Sequence, residues 1–159
     1  MLINPGNLIQ DFINVLIINY SINLPNNAIT HNLITAPHTP PSLPSGTCAV
    51  YVFSMNSRTN APAGPNRVLK VGKVGPNSGP RFKYQHYKPG SAMSTLAGAI
   101  SNNGILWKYL GINQNINNYG LWIQQNADRD HFFLSSSLNN IKDLLEVYLK
   151  GRLGPVFEG

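Results

Sequence analysis

Leu8, Phe12, Val15 and Leu16 recur at helical spacing behind Pro5-Gly6, so residues 7–20 read as an amphipathic or buried helix. A polar, Asn-rich stretch follows. Between Pro37 and Pro44 four prolines fall in eight residues, a density that favours extended, unpaired backbone and marks a linker. The pattern changes at Gly46. Thr47 to Ser54 (TCAVYVFS) is β-branched and aromatic, and Val68 to Val74 (VLKVGKV) alternates apolar and polar positions, so both read as strands. The chain between them is rich in Asn, Pro and Gly, which predicts a hairpin with a long loop. Gly75 to Pro80 (GPNSGP) breaks the chain again. Ser91 is placed to cap a small-residue helix running through Ile100. Leu121–Ile123 and His131–Leu134 are short strand candidates. The clearest helix is the last, with Ser137 as N-cap and Leu138, Ile141, Leu144, Leu145, Tyr148 and Leu149 on one arc. It ends near Gly151, with Pro155 beyond. Strands first and helices around them predict a small α+β domain over residues 46–159, preceded by a helical extension and Pro-rich linker over residues 1–45.

Composition narrows the class. With 159 residues there is room for one core, and 42% apolar residues argue against global disorder. Cys48 stands alone, so no disulfide framework exists, which fits a reducing cytoplasm. The most apolar run, Leu8 to Ile18, is interrupted by Gln10, Asp11 and Asn14 and is too short for a bilayer, so no membrane partner is expected. It also lacks the basic start of a secretory signal, since the first positive side chain is Arg58.

Charge sharpens the picture further. Twelve Lys and Arg oppose six Asp and Glu, for a net charge of +6. No acidic residue lies between Asp11 and Asp128, and seven of the twelve basic residues fall between Arg58 and Lys88. A stretch of that kind suits a polyanion.

Within it, Tyr51 and Lys70 lie on the two predicted strands. A hairpin would bring them to one face, where a nearby positive charge favours the ionised tyrosine and so makes it a better general base. The bland alternative is a half-buried tyrosine beside a solvated Lys70 and Lys73. Gly72 removes a side chain and would let backbone or a phosphate approach. Arg81-Phe82-Lys83-Tyr84-Gln85-His86-Tyr87-Lys88 interleaves cations and an imidazole with aromatics. Arginine binds phosphate bidentately, aromatics stack on bases, and histidine acts near neutral pH. Lys73, Lys83, Tyr84 and Lys88 are therefore candidate nucleic-acid contacts. Glu146, one of two glutamates, sits just outside the apolar arc of the last helix, where it faces either a cleft or its neighbours Lys142 and Lys150. Asp128-Arg129-Asp130-His131 reads as a self-compensating charged turn before a strand. A phosphate loop is unlike Gly72, Gly75 and Gly79, because Pro76 and Pro80 remove amide donors and no Gly-Lys-Ser/Thr follows. One Cys and four scattered His argue against zinc, and no Gly-x-Ser-x-Gly elbow is present.

The order of these pieces is more specific than any one of them. Ala49-Val50-Tyr51, then Lys70-Val71-Gly72, then Arg81 with His86 five residues later, then a helical Glu146 and finally Pro155-Val156-Phe157 resembles the GIY-YIG endonuclease superfamily, from about Gly46 to Gly159. The strings LKVGKVGPNSGPRFKYQHY and LLEVYLKGRLGPVFEG look like a bacterial branch of it. The resemblance implies a three-stranded antiparallel sheet flanked by helices and metal-dependent hydrolysis of phosphodiester bonds, in DNA rather than RNA. It implies Tyr51 as general base, Lys70 supporting it in place of the usual second tyrosine, and Arg81 on the scissile phosphate. His86 would partner Tyr51 or the phosphate, and Glu146 would hold Mg²⁺ or Mn²⁺. Ala49 stands where the family has glycine, and Glu158 where it has a late asparagine.

Overall fold

The computed structural model describes residues 1–91 and 94–158. Its centre is β2 (Thr47–Met55), nine residues of β-branched, aromatic and small side chains, all but the first of them buried. Such a strand must be covered on both faces. Ala49, Tyr51, Phe53 and Met55 point to one core, while Cys48, Val50 and Val52 point to the other. β3 (Val68–Val74) pairs antiparallel with β2 across the long loop, as the alternation predicts. The register steps at Phe53/Ser54: Phe53 faces Lys70, Tyr51 faces Gly72 and Ala49 faces Val74. Lys70, Gly72 and Val74 therefore share the Tyr51 face, and Lys73 points to the other.

The sheet has four strands, not three, in the order β1-β4-β2-β3, all antiparallel. The additional strand, β1 (Ile29–Ile34), comes from the polar stretch before the Pro-rich segment and pairs along its length with β4 (Ala127–Ser135). As an edge strand it needs only one well-buried face, so Asn32 and His31 are tolerated and its apolar signal is weak. The Pro-rich segment thus connects two strands of one sheet. α1 (Pro5–Tyr20) packs Phe12 and Leu16 into the same core as Val50, Val52 and Leu149.

β4 is the second central strand, and it begins before the predicted one. Asp128-Arg129-Asp130-His131 is not a turn: all four residues lie buried within β4. Alternation sends Arg129 and His131 to the Tyr51 face and the two aspartates to the other. There Asp128 accepts from the Met1 amine (3.0 Å), the Ala36 amide (2.8 Å) and Asn56 Nδ2 (2.6 Å). Asp130 accepts from the Leu2 amide (2.9 Å) and bonds His31 Nε2 (2.7 Å).

Leu121–Ile123 is likewise helical, not extended. It belongs to α5 (Tyr119–Asn126), where the Asn118 side chain caps the amide of Leu121 at 2.9 Å. Short apolar triplets carry no period, and the cap decides. The helix predicted from Ser91 begins later, as α3 (Leu96–Asn102) capped by Thr95. Residues 92 and 93 of that prediction, and the terminal Gly159 of the resemblance, lie outside the described residues. α2 (Gly79–Lys83) and α4 (Trp107–Leu110) complete the helical layer over the Tyr51 face. α6 (Asn139–Leu153) covers the other face with Ile141, Leu145 and Leu149, after a turn capped by Ser135 in place of Ser137. No helix among the described residues is long and apolar enough to cross a membrane.

Candidate active site

A cleft of about 430 Å³ opens beside the free edge of β3, lined by Tyr51, Lys70, Gly72, Lys73, Arg81, Ser94, Glu146 and Lys150. Four elements converge on it: β2 brings Tyr51, β3 brings Lys70, α2 brings Arg81 and α6 brings Glu146. The predicted candidates on these elements are thus gathered in one place. Glu146 arrives there from the helix that covers the opposite face of the sheet.

Gly72 explains how Tyr51 reaches the cleft. A Cβ built at Gly72 would lie 2.6 Å from the Tyr51 hydroxyl and 2.7 Å from ring carbons Cε2 and Cζ. Those distances are below van der Waals contact, so the ring crosses the edge strand only because residue 72 has no side chain. The group that approaches Gly72 is the tyrosine ring itself.

His86 stands behind Tyr51, buried and hydrogen-bonded to its hydroxyl. Its other ring nitrogen, Nδ1, accepts the Leu96 amide at 3.3 Å. In the neutral ring the proton therefore sits on Nε2 and is donated to the Tyr51 oxygen. Burial first, then the charges of Arg129, Lys70 and Arg81, hold the His86 pKa well below its ordinary value, so it stays neutral. It is a donor to Tyr51, not a proton acceptor.

Burial also raises the Tyr51 pKa, against the lowering charges of Arg129 and Arg81 and a hydrogen bond from Arg81. The expected ease of ionisation beside a lysine is thus outweighed by desolvation. The cations soften that cost without cancelling it. Lys70 bonds Ser94 Oγ at 3.0 Å, and its own pKa falls to about 8, through burial and then repulsion from Lys150 and Arg81.

Glu146 is held by two ammonium groups: Oε2 pairs with Lys73 Nζ at 3.0 Å and Oε1 with Lys150 Nζ at 3.1 Å. Lys142, its other neighbour on the helix, pairs with Asp143. Lys73 also pairs with Asp143 at 3.0 Å, and these bonds outweigh its burial and raise its pKa. Among the described residues, Glu146 is the one carboxylate lining the cleft, against Lys70, Lys73, Arg81 and Lys150. No group of three His, Cys, Asp or Glu among the described residues is arranged to hold a metal ion.

Comparison with protein-family models, with curated proteins and with solved structures finds no match to this chain. The site's chemistry therefore rests on its own geometry. A hard divalent cation takes about six oxygens and keeps much of its water. Glu146 offers one carboxylate whose lysine partners would have to yield, so the donor set fits a cation shared with an incoming phosphate and not a preformed cage. The excess of positive charge fits the phosphate directly.

The remaining candidates lie outside the cleft lining. Tyr84 is 46% exposed, with Lys83 Nζ at 5.0 Å and Lys88 Nζ at 5.6 Å from its ring centre. That is an exposed aromatic flanked by cations on the segment leading from Arg81. Ser94 and Arg129 were missed in the sequence, whereas Lys150 was read there only as a helix neighbour of Glu146 and also lines the cleft. Ser94 carries no local signal beyond being polar. Arg129 was hidden by its acidic neighbours, which a strand period would have sent to the other face.

Proposed function

We propose that the protein is a metal-dependent endonuclease of the GIY-YIG type, hydrolysing phosphodiester bonds in nucleic acid, with DNA as the substrate to test first. The observation that carries this reading is the convergence of Tyr51, Lys70, Arg81 and Glu146 on one cleft from four separate elements, with His86 bonded behind Tyr51. Such a set combines a base candidate, phosphate-binding cations and a carboxylate at one reacting centre.

A diester phosphate enters among Lys70, Arg81 and Lys150, and Arg81 grips two of its oxygens. Tyr51, acting as tyrosinate, takes a proton from a water molecule. That water's oxygen bonds to phosphorus as the bond to the leaving oxygen breaks. The leaving oxygen gains a proton from solvent, and Tyr51 releases its own to solvent afterwards. The His86 Nε2–H and the Arg81 guanidinium stabilise the tyrosine oxygen while it is charged. Glu146 would hold Mg²⁺ or Mn²⁺, which supplies charge neutralisation at the phosphate and leaving oxygen.

One feature favours a second reading, a binding module that keeps the fold without cutting: both Glu146 oxygens are already paired with lysines. Incubating supercoiled plasmid with wild type and Glu146→Ala, with and without Mg²⁺, separates the two. Nicking that needs both Mg²⁺ and Glu146 supports the nuclease. Salt-sensitive retention of intact plasmid in every lane supports the binding module.

A further inference from the structure

Arg129 is the largest fully buried side chain, 0% exposed, on the central strand β4. Among the described residues it has no carboxylate partner, because Asp128 and Asp130 face away to the Met1 and Leu2 side. Its guanidinium lies 4.2 Å from the Phe82 ring centre and 5.0 Å from those of Tyr51 and Phe53. Its hydrogen bonds go to the Phe82 carbonyl (2.8 Å) and the Tyr87 hydroxyl (3.3 Å), and Nε finds no partner. A buried charge without a counter-ion is costly, and cation–π contact offsets only part of that cost. Arginine does not escape the cost by losing its proton.

We infer that Arg129 is a positioning residue for Tyr51: its buried positive charge, stacked on the ring from within the core, favours the tyrosinate at the wall of the cleft. This rests on Tyr51 acting as the base. The missing counter-ion is then the tyrosinate itself. In the resting protein Arg129 is uncompensated, and when Tyr51 loses its proton the two form a buried pair across the ring. The other charged or titratable groups around Tyr51 are Arg81 from α2, His86 from the turn after it, Lys70 from β3, Glu146 from α6, and His131, opposite Tyr51 on β4. Arg81 and Lys70 are needed at the phosphate, whereas Arg129 has no route to substrate. Its charge is fixed whether or not the cleft is filled.

The test follows the tyrosine Cζ signals of metal-free, ¹³C-labelled protein through alkaline pH, with Tyr51 assigned by comparison with Tyr51→Phe. Arg129→Gln is expected to move the Tyr51 midpoint up by about one pH unit, a tenfold change in its ionisation constant. Arg129→Lys keeps a charge on a shorter stem and is expected to move it less, in the same direction. Should the glutamine variant not fold, Arg129→Met, which removes the charge and keeps an apolar stem among the rings, decides by the same midpoint. A Tyr51 midpoint unmoved in a folded variant, with stability alone reduced, would overturn the inference. No nucleic acid enters this titration, so failure of the nuclease reading would show separately, as absent cleavage with the Tyr51 shift intact.

Discussion

In the proposed reaction Tyr51 works as a base from a position in which burial opposes its ionisation. The sign of the pH dependence follows. The active form is deprotonated and its pKa lies above the ordinary value, so the single-turnover rate constant should climb with pH throughout the neutral and mildly alkaline range. Rapid-quench measurements between about pH 6 and 9 should give a slope near one on a logarithmic plot. Lys70 acts in the opposite sense. Its pKa of about 8 means that it is charged at neutral pH and loses its proton as pH rises through that value. Affinity for an oligonucleotide, read by fluorescence anisotropy, should therefore weaken between pH 7 and 9, and Lys70→Met should remove most of that dependence. Rate and affinity moving in opposite directions would identify two different groups in two different roles.

At the scale of elements, the cleft depends on how a strand edge is built. Gly72→Ala would push a methyl group into the Tyr51 ring, so the variant should lose about 1–3 kcal/mol in chemical denaturation and lose cleavage with it. Leu149→Ala, far from the reacting atoms, should cost about 2–5 kcal/mol through the cavity it leaves under α6. It should slow cleavage only as far as α6, and with it Glu146, shifts. Much of this architecture was legible in the sequence. The β-branched and aromatic run around Tyr51, the alternating run around Lys70 and the apolar arc of the last helix are regular signals, and each became the element it suggested. What escaped had physical reasons. β1 is an edge strand whose polar residues are permitted by solvent, and α5 is a short apolar triplet turned helical by the Asn118 cap. The charged run in β4 looked like a surface turn because burying Arg129 and two aspartates together is costly. It is tolerated here because the aspartates on one face find donors and the arginine on the other finds aromatic rings. The Tyr51–Glu146 juxtaposition was equally beyond any local pattern, since it joins residues 95 positions apart in the chain.

Across the whole molecule, the absence of acid between Asp11 and Asp128 acquires a spatial meaning. The aspartates that end this window face away from the cleft, which leaves Glu146 among Lys70, Lys73, Arg81 and Lys150. Nucleic-acid affinity should accordingly fall steeply with salt. Replacing Lys83 and Lys88 together by alanine should flatten that dependence by about 0.9 in logarithmic slope for each phosphate that is no longer neutralised, without changing the cleavage rate at saturation. The proposed function requires this cleft to cut phosphodiester bonds with Tyr51 as base. Its most direct test is single-turnover cleavage of a labelled duplex in Mg²⁺ by wild type and Tyr51→Phe, with the affinity of each measured on the same duplex. Wild type should cleave, and Tyr51→Phe should lose about a hundredfold or more of that rate at nearly unchanged affinity. Equal cleavage by the two proteins would contradict it.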